Sequence, residues 1–241
     1  MSRPSPFLTA EWRHLLMMNY ATDPELLKPY LPQGTEIDFF NGETYVSVVG
    51  FVFLNTRLKG LAIPFHQNFE ELNLRFYVRR YEGGELRRGV VFIKEVVPRW
   101  AVATVARWVY NENYISLPMD RAIPSATESG AQVEYRWRIG AGWHRVGATI
   151  GGELQPLPMG SREEFIAEHY WGYTAQRDGG TLEYRVDHEP WRMWPVRDPY
   201  LDADVTALYG ERFSPVLAKP PVSAFIAEGS PVSVHSVVRV K

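Results

Sequence analysis

A chain of 241 residues with 45% hydrophobic and 22% charged residues has the balance of a globular protein long enough to bury a sizeable core. The formal net charge of -2 gives no electrostatic basis for nucleic-acid binding, and no apolar run approaches the roughly 20 residues of a membrane span. Zero cysteines exclude disulfides, thiolate metal sites and a cysteine nucleophile.

Aromatic residues at 14% and 18 prolines favour strands and bends over long helices. The opening MSRPSPFLTAEW lacks the apolar stretch of a signal peptide, so the cytoplasm is the expected compartment. Residues 1–10 read as an arm, followed by a first strand over Arg13–Tyr20. Thr22-Asp23-Pro24-Glu25 predicts a capped helix start, with Thr22 as the cap and a short helix running from Pro24 to about Leu31. Asn41-Gly42 predicts a hairpin between Glu36–Phe40 and Glu43–Phe53, and Arg57–Phe65 is a loop.

The segment from Asn68 to Tyr114 organises the chain. Leu72, Leu74, Phe76 and Val78 alternate with Asn73, Arg75, Tyr77 and Arg79, the period of a strand with one buried face. After Gly83-Gly84, GVVFIKEVV is apolar on both parities, as in a strand covered on both sides. Beyond Pro98, Val102, Val105, Ala106 and Val109 form one stripe of a helix over 98–110. The two strands carry Glu71, Arg75, Lys94 and Glu95, more ionisable groups than packing among β-branched residues requires. This stretch is expected to wall a binding site.

Further on, Gln132–Ile139 and Trp143–Ile150 predict a second hairpin, and Ser161 with Glu164 caps a helix reaching about His169. Tyr170–Gln176, Leu182–His188 and Trp191–Val196 read as a meander. Asp202–Tyr209 is a helix closed by Gly210, and Val222–Ala227 with Val232–Val240 is a final hairpin. No linker or repeat divides these pieces, so one mainly β domain of some ten antiparallel strands with a few short helices is expected.

The six histidines show no metal-ligand spacing, and no glycine-rich phosphate signature or nucleophile elbow occurs, so neither metal nor cofactor is expected. In His169-Tyr170-Trp171-Gly172-Tyr173, two readings stand side by side. One is a histidine packed at a helix end, and the other is a pocket lined by His169 and a tyrosine hydroxyl.

RHLLMMNYATDPELLKPYLPQGTEIDFFNGETYVSVVGF, with NFEELNLRFYVRR and EHYWGYT, resembles the uncharacterised YqjF-like bacterial family across nearly the whole chain. That family is grouped with the acetoacetate decarboxylase superfamily, whose pattern matches Tyr20, Thr22, Asp23, Pro24, Leu27, Leu31 and Pro32. The resemblance implies a large antiparallel, cone-like β-barrel with flanking short helices. It also implies a lysine amine that condenses with a ketone, assisted by a Glu and an Arg. By position, Arg13 is similar to that Arg, Glu71 to that Glu (Glu70 if the register slips), and Arg107 is kept, but Tyr114 stands where the lysine is expected. Of the five lysines, only Lys94 lies in an apolar strand, where burial would lower its pKa as a Schiff-base amine needs.

The resulting expectation is a barrel pocket for a small organic acid or carbonyl compound, with Arg13 and Arg107 on the anionic group and Glu71 as acid or base. Tyr114 would donate a hydrogen bond, and Glu70, Lys94 and His169 would be further ligand contacts. A non-covalent lyase or hydratase run by Glu71 and Tyr114, and a Lys94 Schiff-base decarboxylase, are the alternatives. A small-molecule ligand is the expected partner, without nucleic acid or membrane, and a homo-oligomer is left open.

Overall fold

The structure is a computed structural model that describes residues 5–99, 113–125 and 127–240. The helix expected over 98–110, together with Arg107, falls on residues 100–112 and lies outside the described residues. In chain order the first strands are β1 (Leu8–Thr22), β2 (Glu36–Ile37), β3 (Thr44–Leu58), β4 (Leu61–Ala62), β5 (Phe69–Glu82) and β6 (Glu85–Val97). They are followed by β7 (Tyr114–Ser116), β8 (Met119–Ala122), β9 (Gln132–Ile139), β10 (Gly142–Ile150) and β11 (Gln155–Pro156). The last are β12 (Trp171–Ala175), β13 (Thr181–His188), β14 (Arg192–Asp202), β15 (Ser223–Val234) and β16 (Val238–Arg239). The helices among the described residues are short: α1 (Pro24–Leu27), α2 (Arg162–Ala167), α3 (Val205–Tyr209), α4 (Ser214–Leu217) and two 3-10 turns.

The sheet closes on itself. Strand order runs β13-β12-β6-β5-β3-β1-β15, and β15 pairs back onto β13 through Val186↔Val234. From β15 the ladder also leaves the ring through β14, β10, β9 and β8. That second sheet covers the outside of β1, β3 and β5, where Leu72, Leu74 and Phe76 pack with Val133, Tyr135 and Trp137, all fully buried. Burying one such side chain contributes about 1.5–3 kcal/mol, so this outer core supplies much of the stability. Among the described residues, pairing is antiparallel except for two short parallel ladders, β6–β7 and β6–β12.

Several local expectations are corrected. Strand β1 begins at Leu8, inside the expected arm. The cap of α1 is Asp23, whose side chain accepts from Glu25 N, because Thr22 is still the last residue of β1. Asn41-Gly42 does form a turn with both residues at positive φ, yet its hairpin is a single bridge, Phe40↔Glu43. The preceding residues Glu36 and Ile37 pair instead with β5. Helix α2 starts from Ser161, as its capping residues predict, but ends at Ala167. Strand β14 leaves the expected meander to pair with β10 and β15.

The expected final hairpin is one continuous strand, β15, running through Gly229. Gly229 sits at φ 82, and a Cβ there would lie 1.9 Å from the carbonyl oxygen of Trp12. The glycine marks a close approach to β1, not a reversal of the chain.

Candidate functional site

On β5, one parity faces the outer core, while Glu71, Asn73, Arg75 and Tyr77 point into the ring. There Glu71, Asn73 and Arg75 line, with β1, β3 and β6, a cavity of about 210 Å³. One end is crossed by α2, whose Phe165 packs against Tyr45 and Tyr77 at ring separations of 6.2 and 5.6 Å. Towards the other end lie Leu8, Leu58 and Ile63, followed by the exposed Leu61 and Phe65.

Glu71 is 2% exposed and accepts hydrogen bonds from the Tyr114 hydroxyl and from Asn73 Nδ2, each at 3.2 Å. Tyr114 reaches it because β7 lies beside β6, with Tyr114 next to Glu95. Glu95 pairs with Asn73 across the β5–β6 ladder and therefore shares its inward face. Carboxyl groups and a phenol thus meet in one water-poor enclosure, an arrangement able to hold or pass a proton.

Arg75 lies nearer the closed end. Its Nη2 donates to the carbonyl of Ile166 at 3.3 Å, and the guanidinium sits 5.6 Å from the centre of the Tyr77 ring. Its Nε is buried without a hydrogen-bond partner, and no carboxylate among the described residues forms an ion pair with it. His169 also packs against Tyr77, with ring centroids 4.7 Å apart. Burial, the largest influence, lowers the His169 pKa to about 4, against the opposing pull of Asp38, so the imidazole is neutral at pH 7. Its Nε2 is 3.6 Å from Asp38 Oδ2, beyond hydrogen-bond length, and Asp38 accepts from Arg88 Nε at 2.7 Å. Burial raises the Asp38 pKa, but His169 and Arg88 together outweigh it and hold the carboxyl below its ordinary range.

The remaining lining is mostly aromatic and aliphatic. Trp12 meets Phe51, Phe53 and Trp191 edge-on at 5.5, 5.8 and 6.3 Å. His188 stacks between Tyr170 and Trp191 at 4.5 and 4.2 Å, and burial lowers its pKa.

The structure brings together Glu71, Tyr114 and His169 of the residues expected from sequence, and places others elsewhere. Glu70 points away from the cavity and pairs with Arg121 at 2.5 Å. Arg13 does not line the cavity and binds Glu11 at 2.7 Å and the Gly229 carbonyl at 3.1 Å. The reason is an irregularity in β1: Trp12 and Leu15 both face inward, and His14 between them has φ 55, so the parity that would take Arg13 inside is broken.

A bulge in β6 has the same effect. Leu74 pairs with Lys94 and Arg75 with Phe92, so Lys94 shares the outward face of Leu74 and is absent from the cavity wall. Glu95 takes the inward place. Arg75 and Glu95 belong to the stretch expected to wall the site but have no role assigned from sequence, and Asn73 and Asp38 are not singled out there. The alternation that makes Leu72, Leu74 and Phe76 core also sets Glu71, Asn73 and Arg75 on one face, and that signal was sufficient to find Arg75.

A family model described as an uncharacterized conserved protein, DUF2071, matches residues 9–231. The chain belongs to the DUF2071 family. It is 26% identical over 192 residues to the uncharacterized protein YqjF of Bacillus subtilis (strain 168), covering 76% of this chain and 73% of that protein. Among solved structures it is similar to the enduracididine biosynthesis enzyme MppR complexed with pyruvate, with TM-score 0.69 and 13% identity. That match covers 100% of this chain and 92% of MppR. It is also similar to acetoacetate decarboxylase from Legionella pneumophila, with TM-score 0.69 and 15% identity over 99% of this chain and 88% of that one. The DUF2071 chain therefore has the acetoacetate decarboxylase-like fold, mainly β with a few short helices. Among the described residues no helix is long and apolar enough to cross a membrane, and no group of three or more His, Asp or Glu is placed to hold a metal.

Proposed function

We propose that the cavity of this DUF2071 protein binds a small organic acid without forming a covalent intermediate on an amine. The observation that carries this reading is Arg75, a buried guanidinium lining the cavity with no ion-pairing carboxylate among the described residues. A cation held this way is costly unless an anion arrives to meet it, and a carboxylate matches its planar fork. MppR, similar in fold, is described in complex with pyruvate, itself a small organic acid.

The absence of an amine step is supported by the lining, which contains no lysine among the described residues, and by residues 100–112, which contain none in sequence. A phenol at Tyr114 cannot form an imine. The experiment is incubation with acetoacetate and borohydride, followed by intact mass and peptide mapping. No adduct is expected, and an adduct on Lys94 that disappears in Lys94→Ala would overturn the reading.

A second reading, non-covalent lyase or hydratase chemistry, is favoured by the 3.2 Å contact between Tyr114 and the buried Glu71. In that reading Glu71 removes a proton and Tyr114 hydrogen-bonds the oxygen that gains charge. Glu71→Gln and Tyr114→Phe would each lower turnover by about 100-fold or more while leaving acid binding at Arg75 intact. Unchanged turnover in Glu71→Gln would sink it.

A further inference from the structure

We infer that the ligand of this cavity is an amphipathic monocarboxylate, with its carboxylate at Arg75 and a long alkyl or aryl body extending towards the open end. The inference rests on the proposed role of Arg75 and adds the chemical class of the rest of the ligand. Three observations carry it. First, the guanidinium is at the closed end, beside α2 and Tyr77, so an acid that reaches it must lie lengthwise in the barrel. From Arg75 to Phe69, six residues of β5 towards the open end, the wall runs for about 20 Å of strand.

Second, the wall beside β5, on its β3 and β1 side, is apolar over that length. Trp12 and Leu15 come from β1, Phe51 and Phe53 from β3, and the Phe53 ring stacks on Phe69 at 4.7 Å. A ligand that ended at Arg75 with only a few carbons would leave this aromatic channel filled with water, which apolar surfaces disfavour.

Third, the 210 Å³ of the cavity corresponds to on the order of fifteen water-sized positions, roughly twice the heavy atoms of a four-carbon keto acid. The polar groups on the β5 wall, Asn73 and Glu71, then lie alongside the body of the ligand, so they would meet a substituent part-way along it. Ligand length is read by the aromatic channel and ligand charge by Arg75.

The test is titration calorimetry of the full chain against acetoacetate, hexanoate, octanoate, decanoate and the neutral octanamide, with tryptophan fluorescence reporting on Trp12 and Trp191. Affinity is expected to rise about fourfold per methylene up to the length the channel accepts, so octanoate binds on the order of 100-fold tighter than acetoacetate. Octanamide is expected to bind at least tenfold more weakly than octanoate, and Arg75→Gln to remove that difference while keeping the dependence on length. Acetoacetate binding as tightly as octanoate overturns the amphipathic ligand and leaves the organic-acid reading standing. Octanamide binding as tightly as octanoate to the unaltered chain overturns the role of Arg75, and binding by none of the five overturns both. The length series uses the unaltered protein, so misfolding of a variant does not bear on it.

Discussion

The two faces of β5 are built from alternate residues of one strand and have opposite requirements. Outward, Leu72, Leu74 and Phe76 are fully buried against β9 and β10, and nothing polar interrupts them. Inward, Glu71, Asn73 and Arg75 are 2%, 1% and 9% exposed, nearly as buried, yet they carry a carboxyl group, an amide and a guanidinium. Alternation of apolar and polar residues usually marks a strand between core and water. Here it marks a strand between core and cavity. Burial alone therefore does not separate a residue that holds the fold from one that awaits a ligand, and the stability change on mutation does.

The largest effect is expected on the outward face. Leu74→Ala removes a side chain packed on all sides and should cost about 2–5 kcal/mol, read as a shift of the urea midpoint at constant slope. A loss under 1 kcal/mol would mean that the second sheet is not a core.

Next is the pH dependence centred on His169. Its folded pKa of about 4 lies below the usual value, so the unfolded chain takes up a proton first as pH falls. Its contribution is fully present above pH 6.5 and declines between pH 6.5 and 4, by at most about 3 kcal/mol. His14 and His188, whose pKa values burial also lowers, act in the same direction. His169→Gln should flatten that part of the urea-midpoint-against-pH curve, and an unchanged slope would show that the imidazole is hydrated.

A smaller effect belongs to Tyr114→Phe, which removes one hydrogen bond to Glu71 and should cost about 1 kcal/mol in thermal unfolding. The smallest, and the sharpest for the comparison, is Arg75→Met. Because no carboxylate among the described residues pairs with this cation, its loss should leave stability within about 1 kcal/mol or raise it. A loss as large as that of Leu74→Ala would make Arg75 structural and break the contrast between the faces.

The sequence was most legible where local chemistry decides structure. Gly83-Gly84 closes the β5–β6 hairpin with both residues at positive φ, Ser161 caps α2, and Gly210 ends α3. It was least legible where long-range pairing overrides a local signal. Gly229 resembles a turn until β1 is laid beside it, and Asn41-Gly42 turns the chain without keeping Glu36 and Ile37 in its hairpin.

In the site, Glu71 and Tyr114 are named from their positions in the family resemblance, and the structure places both on the cavity wall. Arg13 and Lys94 were assigned to the cavity although each sits at an irregularity in its ladder, and those irregularities come from pairing between strands. Neither residue type nor spacing in the sequence reports them.

The β6 bulge has a consequence for how such a cavity changes its chemistry. Were the ladder regular from Arg75↔Phe92 onward, Ile93 would oppose Leu74 and Lys94 would stand beside Asn73, so the enclosure would hold an amine where Glu95 now lies. Nothing in the composition of the strand would differ. The interior's charge is set here by counting, not by identity: a slip of a single residue between two neighbouring strands exchanges a carboxylate for an ammonium without any substitution.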